Sequence, residues 1–197
     1  MLKKRSQRLA LILIVVLLCA SFSTVVALAE QGDYPALSME ELNDRWWGIY
    51  IRAIDMLLME VDLGASNRSD KLAEALEIAN QAVWEFEPTS TDYPNFSAFA
   101  YNMRSKVYQA WDKNEEVIAD CRKTIALFAD AIVKFSTDND GGAWYSLLSA
   151  RAFERIGDVT GDYTEALEYI HGLDLDKMSG SYVDALKELQ TVLEEAP

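Results

Sequence analysis

Gly161-Asp162-Tyr163-Thr164-Glu165-Ala166-Leu167-Glu168-Tyr169 is the stretch on which the fold turns. It opens with a glycine turn and runs into a short helix that carries the small residue Ala166. A second stretch, Glu74-Ala75-Leu76-Glu77 with Ala82 and Pro88 after it, holds two small residues seven apart and ends on proline. Around both, apolar residues recur every three or four positions, which puts them on one face of a helix. No β-branched alternation flanks an Asn-Gly or Asp-Gly pair, so no strand hairpin is expected.

Working outward gives seven helices. Ser38 with Glu41 predicts a capping box, and Leu42, Trp46, Trp47, Tyr50, Ile54, Leu57, Leu58 and Val61 form the apolar face of a first helix that stops at Gly64. The second helix runs from about Asp70 to Glu87. The third starts at Pro94, where the missing N–H costs nothing, and ends near Trp111. Asp112 and Glu115 suggest a cap and a restart into a fourth helix carrying Val117 to Phe135. Asp138 to Gly142 reads as a break, as does Gly157 to Gly161, with a fifth helix between them. A short sixth helix spans Tyr163 to about Ile170, and a seventh Tyr182 to Glu195. Short connections make such neighbours antiparallel, and isolated short helices are marginal in water, so they must pack together.

The stretch Gly161–Tyr169 closely resembles the turn and second helix of a tetratricopeptide repeat, and Ala75, Ala82 and Pro88 resemble that family's two small residues and terminal proline. Trp144 and Tyr145 open a third unit as the family's aromatic position does. The resemblance covers Trp46 to about Leu173. Val117 and Thr124 replace the alanines in the middle unit, Leu173 the second alanine of the third, and Ala75, Val117 and Ala166 lie 42 and 49 residues apart where the family period is about 34. The resemblance implies an all-α fold of antiparallel hairpins stacked as a short right-handed array. It also implies a concave groove, lined by the first helix of each pair, that binds peptides or partner proteins.

The N-terminus has its own logic. Lys3, Lys4, Arg5 and Arg8 precede an apolar run from Leu9, and Ala27-Leu28-Ala29 has the small-x-small form of a cleavage site. The same stretch is long enough to cross a bilayer, about 20 residues. Residues 1–29 therefore read as a signal peptide or a retained anchor, 30–37 as a linker and 38–197 as the helical domain. Either way the domain is expected outside the cytoplasm, secreted or anchored. Four of the 18 basic residues and none of the 32 acidic ones fall in residues 1–29, which leaves 14 against 32, a balance of −18. Such a surface does not suit nucleic acid or anionic lipid. Cys121 is the only cysteine after residue 29, so no intrachain disulfide supports a domain cut there.

Catalytic signals are weak. Nucleophilic triads need a histidine base, and the one histidine, His171, sits at a helix end. Zinc has too few ligands, no cofactor motif stands out, and adjacent acids such as Glu115-Glu116 point apart on a helix. Asp158-Val159-Thr160-Gly161-Asp162 starts like a calcium loop, with Asp158 and Asp162 as the candidate ligands. Tyr163 and Tyr169 then occupy the glycine and bidentate-acid positions, so a solvated turn is the reading. Asn67-Arg68-Ser69 and Asn95-Phe96-Ser97 match the glycosylation sequon.

The third helix lacks acids from Phe96 to Trp111 but carries Asn102, Arg104 and Lys106. Arg52 on the first helix and Arg151 with Arg155 on the fifth could add charge, and Tyr145 an aromatic contact. These seven residues are the expected partner-binding set, presented to a carboxylate on an acidic peptide or a chain terminus. The bland alternative is that the cations pair with the acidic second helices. The expected function is an extracytoplasmic scaffold binding a protein or peptide, in cell-envelope assembly or transport. A solute- or metal-binding accessory protein using the same groove is the first alternative, and a carboxylate hydrolase the second.

Overall fold

The computed structural model describes residues 38–135, 139–178 and 180–196; the expected signal or anchor (1–29) and expected linker (30–37) lie outside the described residues. Helix α1 is continuous through Met39–Arg45, a π-helical stretch Trp46–Ile51, and Arg52–Asp62. It is followed by α2 (Arg68–Phe86), α3 (Pro94–Ala110), α4 (Asn114–Phe135), α5 (Asn139–Thr160), α6 (Thr164–His171) and α7 (Ser181–Glu194). Short 3₁₀ turns lie at Glu87–Thr89 and Leu175–Lys177. The described residues hold these seven helices, packed together, and no strand. None of the helices is long and apolar enough to cross a membrane.

The start of α1 follows its sequence. Ser38 Oγ accepts from the Glu41 N–H at 3.3 Å and the Glu41 carboxylate accepts from the Ser38 N–H at 2.8 Å, a complete capping box. Those bonds hold the Glu41 carboxyl below its ordinary range. Its end does too: Gly64 takes φ +81°, and the Gly64 and Ala65 N–H groups donate to Val61 and Glu60 carbonyls, satisfying the last turn. The π-helical stretch answers a spacing problem. Leu42, Trp46, Tyr50 and Ile54 are spaced by four, and in a pure α-helix each such step drifts about 40°. The wider turn takes up that drift, and all four residues are buried. Trp47, expected on the same face, points outward instead, because consecutive residues cannot share a side of a helix.

Contacts at both ends fix the directions. Arg45 pairs with Glu85 and Lys71 with Glu60, so α1 and α2 are antiparallel. Arg68 donates to the Ala110 carbonyl and Ser97 to the Phe86 carbonyl, so α2 and α3 are antiparallel too. Phe99 meets Phe128 while Arg104 meets Asp120, which sets α3 against α4. Helices α1, α3 and α5 consequently run the same way. Trp46 stacks on Phe99, and Phe99 in turn contacts Tyr145. The main core joins α1 to α5 through these rings, and a second cluster of Ala150, Ala166, Ile170, Leu186, Leu189 and Leu193 seats α6 and α7 on α5.

Two breaks are placed differently from expectation. Helix α5 already starts at Asn139, so Gly141 and Gly142 lie inside its first turn. It also runs through Gly157 and ends at Thr160, with Gly161 at φ +74° making the turn. Gly157 is inside the helix for steric reasons: a Cβ there would lie 2.2 Å from Tyr163 Cδ1. The restart after α3 also differs in detail, since Asp112 is the turn residue itself, at φ 57°. Asn95, in the second sequon, is buried, which leaves no room for a glycan on its carboxamide.

Gly157→Ala gains helix propensity of about 1 kcal/mol but must displace the Tyr163 ring. We expect net destabilisation of about 1–3 kcal/mol in urea unfolding, and recovery when Tyr163→Ala is added. A Gly157→Ala protein more stable than the parent would show that the ring moves freely.

Candidate functional site

The seven expected contact residues separate into three environments. Asn102, Lys106 and Arg155 come together between α3 and α5. Arg155 is only 9% exposed. Its Nη1 donates to Asn102 Oδ1 at 3.1 Å and Ser105 Oγ at 3.0 Å and approaches Cys121 Sγ at 3.8 Å. Its Nε donates to Gln109 Oε1 at 3.2 Å. All four neighbours are neutral, and among the described residues Arg155 has no ion pair. A buried guanidinium held only by dipoles leaves its charge uncompensated, where a carboxylate partner is the usual arrangement.

Lys106 adds a second cation. It is half-buried and makes no hydrogen bond or ion pair with a described residue. Burial lowers its ammonium pKa, Asp55 pulls back upward, and Arg155 presses it down further. Lys106 lines a cleft of about 320 Å³ with Leu58, Asp62, Gln109 and Ala110, between α1 and α3. Gln109 joins cleft and knot: its Oε1 accepts from Arg155, and its Nε2 donates to Asp158 Oδ2 at 3.1 Å.

Arg104 belongs elsewhere. It lies two residues from Asn102 and Lys106 and so points to another side of α3. Its Nε and Nη2 grip Asp120 at 2.7 and 2.8 Å, Nη1 donates to Asn80 Oδ1 at 3.0 Å, and its plane lies over Tyr101 and Tyr108. This bidentate pair ties α2, α3 and α4 together. Burial pushes the Asp120 carboxyl up, and the Arg104 bonds pull it back. Of the rest, Arg151 is exposed and paired with Glu154 at 2.9 Å. Arg52 is exposed on α1 with no acid in ion-pair reach among the described residues. Tyr145 is a packing residue, stacked on Phe128 with centroids 5.5 Å apart.

The calcium candidates are occupied by local bonds. Asp158 lies inside α5 and accepts from the Tyr163 hydroxyl at 2.9 Å, while Asp162 accepts from the Thr164 N–H at 2.9 Å. No group of three or more potential metal ligands occurs among the described residues. His171 is at the C-terminus of α6, 3.5 Å from Glu194. Three participants escape the sequence reading: Ser105, Gln109 and Asp120. Ser105 and Gln109 had a signal, because Asn102, Ser105, Lys106 and Gln109 follow one face at helical spacing. Asp120 had one too, as an acid beside Val117 and Cys121 on a buried face. No protein-family model, curated protein or solved structure matches this chain.

Arg104→Ala strands the Asp120 carboxylate in the core. We expect a loss of about 3 kcal/mol in chemical unfolding, with part of it recovered in the Arg104→Ala/Asp120→Asn double variant. A stability equal to the parent would remove Arg104 from the structural set.

Proposed function

We propose that the chain is an extracytoplasmic, tetratricopeptide-like scaffold that stacks its helix pairs as a right-handed array and binds a protein or peptide partner along α1, α3 and α5. The observation that carries this reading is the pair of cations, Lys106 at the α1/α3 cleft and Arg155 buried among α3, α4 and α5, with no carboxylate bonded to either. Asn102, Ser105 and Gln109 hold the guanidinium in place. A carboxylate entering beside Lys106 would supply the missing negative charge, and a prearranged site loses little entropy on binding. The partner segment is then an acidic side chain or a free chain terminus. Arg104, already gripping Asp120, is assigned to the fold.

A second reading has one observation in its favour. The cleft beside Lys106, at about 320 Å³, is of a size that holds a small molecule. A small carboxylic acid would use the same cations, so the two readings differ in what lies beyond the carboxylate.

Peptide arrays with free or amidated C-termini, together with small carboxylic acids, test this on the full chain. We expect binding of free-carboxylate peptides, weakened about 10–100-fold by Lys106→Ala and unaffected by Arg151→Ala. Binding should fade as pH rises, because the ammonium is the binding form, and the fading should begin below the range of an ordinary lysine, since burial lowers this pKa. Equal binding of acid and amide peptides would overturn carboxylate recognition; binding of small acids alone would select the second reading.

A further inference from the structure

The first helix carries an apolar row that the fold does not cover. Met56 is 59% exposed, Met59 56%, Leu63 79% and Ile49 55%, with Trp47 beside them at 48%. Positions 49, 52, 56, 59 and 63 alternate by three and four, the spacing of a helix seam that receives a second helix. The row lies opposite Ile54, Leu57 and Val61, which face the core. Three large thioether and aliphatic chains within eight residues are costly to leave in water without a reason. Methionine is also the side chain that best adapts to varied surfaces.

The charges beside the row indicate what it fits. Asp55 and Asp62 are seven apart and follow one edge; both are exposed with no ion pair among the described residues, though Asp55 acts on the Lys106 ammonium and Asp62 lines its cleft. Glu60 follows the other edge, already paired with Lys71 at 2.8 Å. We infer that the outer face of α1 is a docking seam for an amphipathic helix of a partner protein whose apolar stripe is flanked by lysine or arginine. A second copy of this chain fits poorly: antiparallel pairing of α1 with itself sets the Asp55/Asp62 edges against each other. An anionic lipid surface fits poorly for the same reason. The large excess of acids after residue 29 favours a cationic partner by the same logic at long range. Arg52, within the row and lacking an acid, is left to meet an acceptor on the incoming helix.

This inference takes from the scaffold reading only that the bound molecule is a protein; its apolar row is distinct from Lys106 and Arg155, while its acidic edge borders the Lys106 cleft through Asp55 and Asp62. The test holds the full chain in phosphatidylcholine nanodiscs and titrates a labelled model peptide of roughly five helical turns, with leucine at seam positions and lysine on both flanks. Its counterpart carries glutamate for lysine. We expect the lysine peptide to bind and the glutamate peptide to bind at least about 100-fold more weakly. Met56→Ser with Met59→Ser should weaken the lysine peptide about 100-fold without altering charge, whereas Val133→Ser, at an exposed site on α4, should have no effect. Asp55→Asn with Asp62→Asn should weaken it about 10-fold and flatten its salt dependence. Persistence of binding in the methionine variant would reduce the effect to plain charge attraction and overturn the seam. So would peptide-independent self-association lost in Met56→Ser, or a probe at Met59→Cys shielded by lipid. Lys106→Ala removes a cation beside Asp55 and should not weaken this peptide, whereas it should weaken the carboxylate peptides, so failure here and failure of the carboxylate site are read separately.

Discussion

The Phe99 ring is the contact on which the rest of the arrangement depends. It stacks on Trp46 of α1 at 5.2 Å, meets Phe128 of α4 edge-on at 5.4 Å and reaches Tyr145 of α5 at 6.3 Å. Phe86 of α2 joins through Trp46, Tyr50 and Phe96. Offset and edge-to-face rings gain more than their buried area alone, and the preference for those geometries fixes relative helix rotation. Five helices are thus registered by one connected set of rings. With no disulfide among the described residues, that registration rests on packing.

Once the rings set α3 beside α5, the polar residues one to three turns further along have no choice of neighbour. Asn102, Ser105 and Gln109 meet Arg155, and Lys106 is left at the edge of the cleft with α1. On another side of α3, Arg104 meets Asp120. One helix therefore presents two cationic environments of opposite character. Arg104 is neutralised by a buried carboxylate and serves cohesion. Arg155 has dipoles in place of a carboxylate and retains its field. The contrast separates a cation paired within the fold from one without a carboxylate, and it cannot be made from the residues' types alone.

The two proposed surfaces follow from the same asymmetry of α1. Its inner face supplies Leu42, Trp46, Tyr50 and Ile54 to the core, and its outer face keeps a methionine-rich row beside acids. The inner face adjoins the cleft of Lys106, and the outer face stands clear of every other described helix. Asp62 belongs to both, lining the Lys106 cleft and edging the outer row.

Local chemistry was enough for the helices themselves. Ser38 with Glu41, Gly64, Pro94 and the three-and-four spacing of apolar residues act within one or two turns, so seven helices and most of their ends are legible without tertiary structure. The π-helical stretch was not read from the sequence, although Leu42, Trp46, Tyr50 and Ile54 keep an unbroken spacing of four. Gly157 and Gly142 misled because glycine reads as a break by propensity, while a close neighbour such as the Tyr163 ring can demand it inside a helix. The division of the cations was out of reach for a further reason. Whether an arginine is bonded to an acid depends on residues 16 or 50 positions away in the chain, and that distance is set by how helices pack. Sequence alone determined the helices and the excess of acid; the aromatic packing decided which charges were paired with a carboxylate and which were not, because electrostatic pairing is a property of distance in space.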